Sequence, residues 1–279
     1  MRFGGLIFRK WTSPQEWAQA AVDAGYSAVY FPVDHTAEIS VIDGYVKAAA
    51  DYDLVICEIG VWNNLLTRDP AKREENINRA IHQLELAEYV GANCCVNISG
   101  SYSEQWDGPH KDNLTERAFE EIVLTTQRII DAVNPERTCY SQEPMPWMYP
   151  DTADSYLRLI RSIDRKGFAA HLDPVNIISS PQLFYRNGEV IQEWFDKLGT
   201  NIVSCHAKDI TLSGKLTVHL DECRPGLGEL DYETYLRCLS KLDDRVCLML
   251  EHMTEEEDYI LAARYIKGVA GKLGIKLGR

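Results

Sequence analysis

The feature that most constrains this chain is an alternation: short apolar, β-branched runs trade places with amphipathic helical stretches from end to end. Short runs rich in Val, Ile, Leu and Phe fit strands buried on both faces, and longer 3.6-periodic stretches fit the helices that cover them. The strand-like runs are 3–8, 28–33, 54–59, 94–98, 138–143, 168–173, 202–206 and 246–251. Helical patterns follow them: one opening at Ser13-Pro14 and closing near Gly25, then 39–51, 70–90, 115–133, 152–164, 192–198, 232–242 and 255–272. Ser13-Pro14 supplies an N-cap with proline at the first helical position, and Gly91 stops the long third helix. Strands alternating with helices predict a parallel sheet, and eight such units predict closure into a single (β/α)8 TIM barrel spanning residues 1–279 as one domain. An open doubly wound sheet would carry a glycine-rich phosphate loop after its first strand, where this chain has Arg9-Lys10-Trp11.

Composition narrows the function classes. The 279 residues hold 29 Lys and Arg against 42 Asp and Glu, a net charge of −13, which argues against binding nucleic acid or an anionic membrane. The first ten residues lack a signal-peptide layout and no apolar run approaches a membrane span, so a cytoplasmic protein is expected. Eight cysteines without a CxxC pair, most of them in apolar runs, read as small buried hydrophobes rather than zinc or disulfide residues.

In a barrel, the chemistry gathers where strands end. The fifth run ends on Glu143, the sixth on His171-Leu172-Asp173, the seventh on His206-Ala207-Lys208-Asp209 and the eighth on Glu251. A carboxylate closing an apolar strand is costly unless it is paired or holds a metal. Glu143, Asp173, His206 and Glu251, from four consecutive strands, make a mixed oxygen and nitrogen set suited to one divalent ion, with Mn²⁺ first and Mg²⁺, Co²⁺ or Zn²⁺ the alternatives. His171 falls on the same strand face as Asp173, which leaves it a proton-transfer or substrate group or a satisfied core histidine. Lys208 falls on the same face as His206, either stabilising an oxyanion or paired with Asp209 or Glu229.

Three long connections, 99–114, 144–151 and 209–231, carry Trp106, Trp147, Tyr149 and Arg224, side chains suited to walling a sugar pocket. Glu58 and Asn97, near the ends of the third and fourth strands, are candidates to bind hydroxyls, and Arg224 to hold an anionic group. Trp11 and Trp62 are further candidates to stack on a sugar face. His219 and His252 read as peripheral.

The quartet Glu143, Asp173, His206 and Glu251 resembles the metal site of the xylose isomerase-like barrels, the sugar isomerase/epimerase superfamily, and the likeness covers nearly the whole chain. His206-Ala207-Lys208-Asp209 is similar to the His-x-Lys-Asp segment of many members, and Pro225-Gly226-Leu227-Gly228 to the Pro-Gly-x-Gly run before their seventh helix. The resemblance implies a small-molecule ketose or keto-sugar substrate and proton transfer beside a carbonyl, with Glu143 and Glu251 as base and acid and His171 and Lys208 as further catalytic candidates. It equally implies a lyase or dehydratase on an inosose or 3-keto-glycoside, and it leaves monomer and homo-oligomer open. A barrel retained as a non-catalytic partner subunit is a third reading, which an intact quartet disfavours. The chain departs from the ketose 3-epimerases at three points: Asn176 stands three residues after Asp173 where they carry His, Tyr149 where they carry a second Glu, and Leu212 where they carry Arg. Asn176 becomes a candidate substrate contact in place of that His.

Overall fold

The computed structural model describes residues 1–278. The barrel strands are β1 (Arg2–Gly4), β2 (Ala28–Tyr30), β3 (Val55–Gly60), β4 (Cys94–Asn97), β5 (Tyr140–Gln142), β6 (Phe168–Leu172), β7 (Ile202–Ala207) and β10 (Cys247–Leu250). All pair in parallel and close in the order β1-β10-β7-β6-β5-β4-β3-β2. The molecule is therefore a single (β/α)8 TIM barrel. Gly4 lets β1 meet β2, because a Cβ there would overlap the Ala28 carbonyl.

Helices α1 (Pro14–Asp23), α2 (Ile39–Asp51), α3 (Pro70–Val90), α4 (Glu116–Val133) and α5 (Ala153–Ile163) follow the first five strands. Ser13, Asp69, Thr115 and Thr152 cap four of them through their side chains, and Gly91 ends α3 in the left-handed region at φ 72°. Beyond β6 the sequence reading is corrected. In place of one helix over 192–198 there are two, α6 (Pro181–Phe184) and α7 (Asn187–Leu198). Ser180 caps α6 with Pro181 at its start, and Gly188, in the first turn of α7, disguises that start because a Cβ there would strike the Asp231 carboxylate.

The long 209–231 connection is also not without structure. It opens with an antiparallel hairpin, β8 (Asp209–Ser213) and β9 (His219–Cys223), with Asp209 opposite Cys223. Helices α8 (Tyr232–Leu239) and α9 (Glu256–Lys272) complete the ring.

Two layers of core result. The larger lies between strands and helices and includes Phe3, Trp17, Leu84, Tyr156, Trp194 and Ile266. The barrel interior holds Ala28, Cys57, Cys247 and Met249 on one side and Cys94, Val96, Cys139 and Ala169 on the other. Seven of the eight cysteines are buried and all are free thiols. Among the described residues no helix is long and apolar enough to cross a membrane.

Candidate metal centre

Above that apolar floor the strand period of two keeps turning polar side chains inward. On β6 the interior residues run Ala169, His171 and then Asp173; on β7 they run Ser204, His206 and Lys208; β5 leads to Glu143 and β10 to Glu251. One ligand atom from each of Glu143, Asp173, His206 and Glu251 lies within 4.8 Å of the others. His206 Nδ1 is the hub, 2.8 Å from Glu251 Oε1, 3.3 Å from Glu143 Oε1 and 3.9 Å from Asp173 Oδ2. Lys208 Nζ sits 2.6 Å from Glu251 Oε1 and 2.8 Å from Asp173 Oδ2, so its partners are not Asp209 or Glu229.

Asp209 has another task. Its carboxylate accepts from the backbone N–H groups of Ile210, Gly226, Gly228 and Leu230 at 2.8–3.1 Å, tying the Pro225-Gly226-Leu227-Gly228 run to the end of β7. Gly228 must lack a side chain because a Cβ would overlap that carboxylate and the Ile210 backbone.

Burial and mutual charge set the ionisation. Burial first, and the charge of Glu251 second, push the Glu143 carboxyl up to about 7. Burial works against the charged form of Glu251 too, but His206 and Lys208 outweigh it and hold this carboxyl well below its ordinary value. Burial likewise opposes charge on His206 and Lys208, yet the surrounding carboxylates raise both. Burial, helped by the His206 charge, lowers His171 to about 4, so its ring is neutral at physiological pH, and neither nitrogen has a hydrogen-bond partner. Four buried or nearly buried carboxyls, Glu58, Glu143, Asp173 and Glu251, thus face one ammonium and one imidazole that can carry charge. That excess of acceptors, a hard-oxygen donor set with one imidazole, fits a divalent cation.

The centre opens into a cavity of about 880 Å³ whose walls include Glu58, Glu143, Asn176, Lys208 and Glu251 in its depth and Leu6, Phe31, Val33, Trp62 and Trp106 toward its mouth. Asn176 donates to Glu143 Oε1 at 3.0 Å. Trp62 is 42% exposed and held in the left-handed region at φ 48°, a conformation that non-glycine residues reach at a cost and that gathers at ligand sites.

Other sequence candidates do not reach this cavity. Asn97 is fully buried on the helix side, because Val96 takes the interior position, and its side chain bonds Asn63. Trp147 donates its Nε1–H to the Asp107 carbonyl at 2.7 Å and stands outside the lining. Trp11 turns to Tyr45. Arg224 folds away from the mouth, with Nε 3.2 Å from Asp258 in the first turn of α9. Arg224→Ala is accordingly expected to leave KM unchanged and to cost no more than about 1 kcal/mol of stability by denaturant unfolding, as for other partly exposed pairs. A large rise in KM would return Arg224 to the substrate.

Two charged wall residues beside the centre were not assigned to it from sequence, Glu222 and His252. Glu222, on β9, lies 3.6 Å from Lys208 Nζ and 3.1 Å from His252 Nδ1, and both Glu222 and His252 line the cavity. His252 is therefore not peripheral; it follows Glu251 directly, and a left-handed turn at φ 60° brings it to the mouth. Recognising the hairpin would have been the signal for Glu222.

A closed (β/α)8 barrel with three carboxylates and one histidine gathered at the C-terminal ends of its strands defines the class. Within that class the chain belongs to the family described as xylose isomerase-like TIM barrel, whose profile matches residues 18–269. No curated protein matches the chain at a significant level. Among solved structures it is similar to D-psicose 3-epimerase with D-tagatose from Clostridium cellulolyticum H10, at 11% identity and TM-score 0.71, covering 99% of this chain and 100% of that one. It is also similar to the probable 3-DHS dehydratase of Bacillus anthracis, at 16% identity and TM-score 0.70, covering 96% and 98%. A third is a xylose isomerase-like TIM barrel protein from Mycobacterium smegmatis in complex with magnesium, at 15% identity and TM-score 0.67, covering 94% and 89%. At these identities the likeness is one of fold.

Proposed function

We propose that this protein is a divalent-metal-dependent isomerase or epimerase acting on a ketose or keto-sugar by proton transfer next to a carbonyl. The observation that carries the reading is the meeting of Glu143, Asp173, His206 and Glu251 in one buried cluster at the floor of the cavity. These four would hold the ion, Mn²⁺ being the first choice. When bound, the ion supplies Lewis-acid polarisation of a substrate carbonyl and its neighbouring hydroxyl.

The rest of the chemistry belongs to the side chains. Glu143 and Glu251 are the proposed proton carriers: each could hold the ion with one oxygen and reach the substrate with the other, and in the metal-free centre their carboxyls are pushed in opposite directions. Lys208, a permanent cation within reach of both, would steady negative charge developing on a substrate oxygen. Asn176 holds Glu143 in place from the neighbouring strand end. The apolar, aromatic mouth would cover a sugar face and exclude water.

A lyase reading on the same centre is favoured by one specific observation. Of the three departures from the ketose 3-epimerase pattern, Tyr149 packs on Phe119 and Leu212 lies in the hairpin, both away from the cavity, while Asn176 stands in its wall in place of a proton-carrying His. A substrate bearing a leaving group β to the acidic carbon, such as a 3-keto-glycoside, would then undergo elimination.

The test is metal content and solvent exchange. About one divalent ion per chain is expected, chelation should abolish activity on a panel of ketoses and oxidised glycosides, and Mn²⁺ should restore it. In D₂O, an isomerase should place deuterium beside the carbonyl of its product, whereas a lyase should release water or an aglycone. Full activity after exhaustive chelation would sink both readings.

A further inference from the structure

Glu58 lies where the alternation of β3 breaks. Cys57 packs inside the barrel with Ala28, Cys247 and Met249, whereas Ile56 and Ile59 pack on the helix side. Strict alternation from Cys57 would send Glu58 outward. The pairing with β2 slips at this point, Val29 standing opposite Ile56 but Tyr30 opposite Glu58. Such an extra residue re-aims the side chain that follows it. The outcome is a carboxylate only 1% exposed, inside the barrel and directed across its axis, since β3 and β7 stand opposite each other in the closed order.

Its two oxygens are both engaged with β7. Oε1 accepts from Ser204 Oγ, and Oε2 lies 3.2 Å from His206 Nε2. The other nitrogen of that ring, Nδ1, faces Glu143, Asp173 and Glu251. One imidazole therefore presents one nitrogen to a single carboxylate and the other to a group of three. A ring nitrogen can ligate a cation only with its lone pair free, which in the neutral ring puts the proton on the other nitrogen.

We infer that Glu58 is a positioning residue for the metal centre: it accepts a hydrogen bond from His206 Nε2 and so fixes the tautomer whose Nδ1 lone pair points into the quartet. The inference rests on the metal reading above and adds to it a fifth residue with a role distinct from the ligands. Carboxylates that orient a ligating imidazole in this way make the ring more basic and lock its angle. Ser204 in turn holds Glu58, so the strand that carries the ligand also carries the clamp for its partner.

The competing roles fit less well. As a hydroxyl-binding group Glu58 would need to reach substrate, and its carboxylate is only 1% exposed with each oxygen already held by a β7 side chain. As part of a second cation site with His171 and His206 it would demand the Nε2 lone pair as well as the Nδ1 one, leaving the His206 ring without a proton. His171 does not compete for the carboxylate as a hydrogen-bond donor, because its Nδ1 stays 3.6 Å from Glu58 Oε1.

The experiment measures Mn²⁺ affinity by electron paramagnetic resonance of the free ion, for the wild-type protein, Glu58→Gln and Ser204→Ala. It adds ¹⁵N NMR of the Zn²⁺-loaded wild-type protein with labelled histidine. His206 should show its proton on Nε2, shifted downfield by the hydrogen bond, and a ligated Nδ1. Glu58→Gln should weaken Mn²⁺ binding by about 10- to 100-fold with its circular dichroism retained, and Ser204→Ala should weaken it less. A wild-type protein that binds no Mn²⁺ would remove the metal reading and this inference with it. A wild-type protein that binds Mn²⁺ but carries the His206 proton on Nδ1 would overturn the inference alone, as would a folded Glu58→Gln variant of undiminished affinity. The tautomer in the wild-type protein decides the matter even if Glu58→Gln does not fold.

Discussion

Glu143→Gln and Glu251→Gln should each lower kcat by at least about a hundredfold, measured with divalent ion at saturation on whichever keto-sugar the protein turns over. Glutamine keeps the volume and an oxygen that can still face the ion, but it cannot take up or release a proton at neutral pH. The two carboxyls are also not equivalent. In the metal-free centre Glu251 is held ionised by His206 and Lys208, whereas burial and the Glu251 charge bring Glu143 up to about 7. Two carboxyls pushed apart in this way are suited to opposite halves of a proton transfer. Losing either should also slow deuterium entry from solvent, since the exchange uses the same groups. If both variants turned over near the wild-type rate with metal bound, the assignment would be wrong. His171, neutral and unpartnered beside the centre, and Lys208 would then be the next pair to replace.

What the sequence made legible, and what it did not, follows from the range of each signal. The barrel is written in local pattern: each buried parallel strand needs a short apolar run, each covering helix an amphipathic stretch, and the two periods differ enough to be told apart. The quartet was legible for the same reason, because the last inward position of a barrel strand is fixed once the strand is placed. Legibility failed where the pattern is irregular. Glu58 was read as a site residue from its place near the strand end, but its direction toward His206 depends on β3 slipping one residue against β2, which period-two counting cannot foresee. Asn97 falls one position out of phase with Val96 and so faces the helices. The β8–β9 hairpin is short, exposed over most of β9 and poor in apolar alternation, so its strands read as loop, and Glu222 was missed with it. Arg224 looked available because its partner, Asp258, lies 34 residues further along the chain, where only the fold brings it near.

Lys208→Met should cost the metal-free protein about 3–5 kcal/mol, the usual penalty for leaving buried charges without their partner. The ammonium is 1% exposed and lies within 2.8 Å of carboxylate oxygens of both Asp173 and Glu251. Methionine matches its length and packs as well, so the loss is one of charge. The melting temperature in chelator should fall by roughly 10 °C, given the shift of about 2–4 °C per kcal/mol typical of a large single domain. Two further measurements separate charge from packing. The deficit should shrink as pH falls. Glu251 has a folded-state pKa below its ordinary value, so its stabilising contribution is present above its unfolded pKa and lost as pH drops through the folded one. In the variant the unpaired carboxyl shifts the other way and takes up a proton more readily when folded. The two proteins should therefore converge toward acid and differ most near neutrality. Mn²⁺ should raise the melting temperature of the variant more than that of the wild-type protein, because a cation at the quartet replaces the charge that was removed and binds the folded state alone. An unchanged melting temperature in chelator would show that Asp173 and Glu251 do not depend on Lys208. A deficit constant with pH and indifferent to Mn²⁺ would assign the lysine to packing, leaving the stabilisation of developing oxyanion charge to other groups.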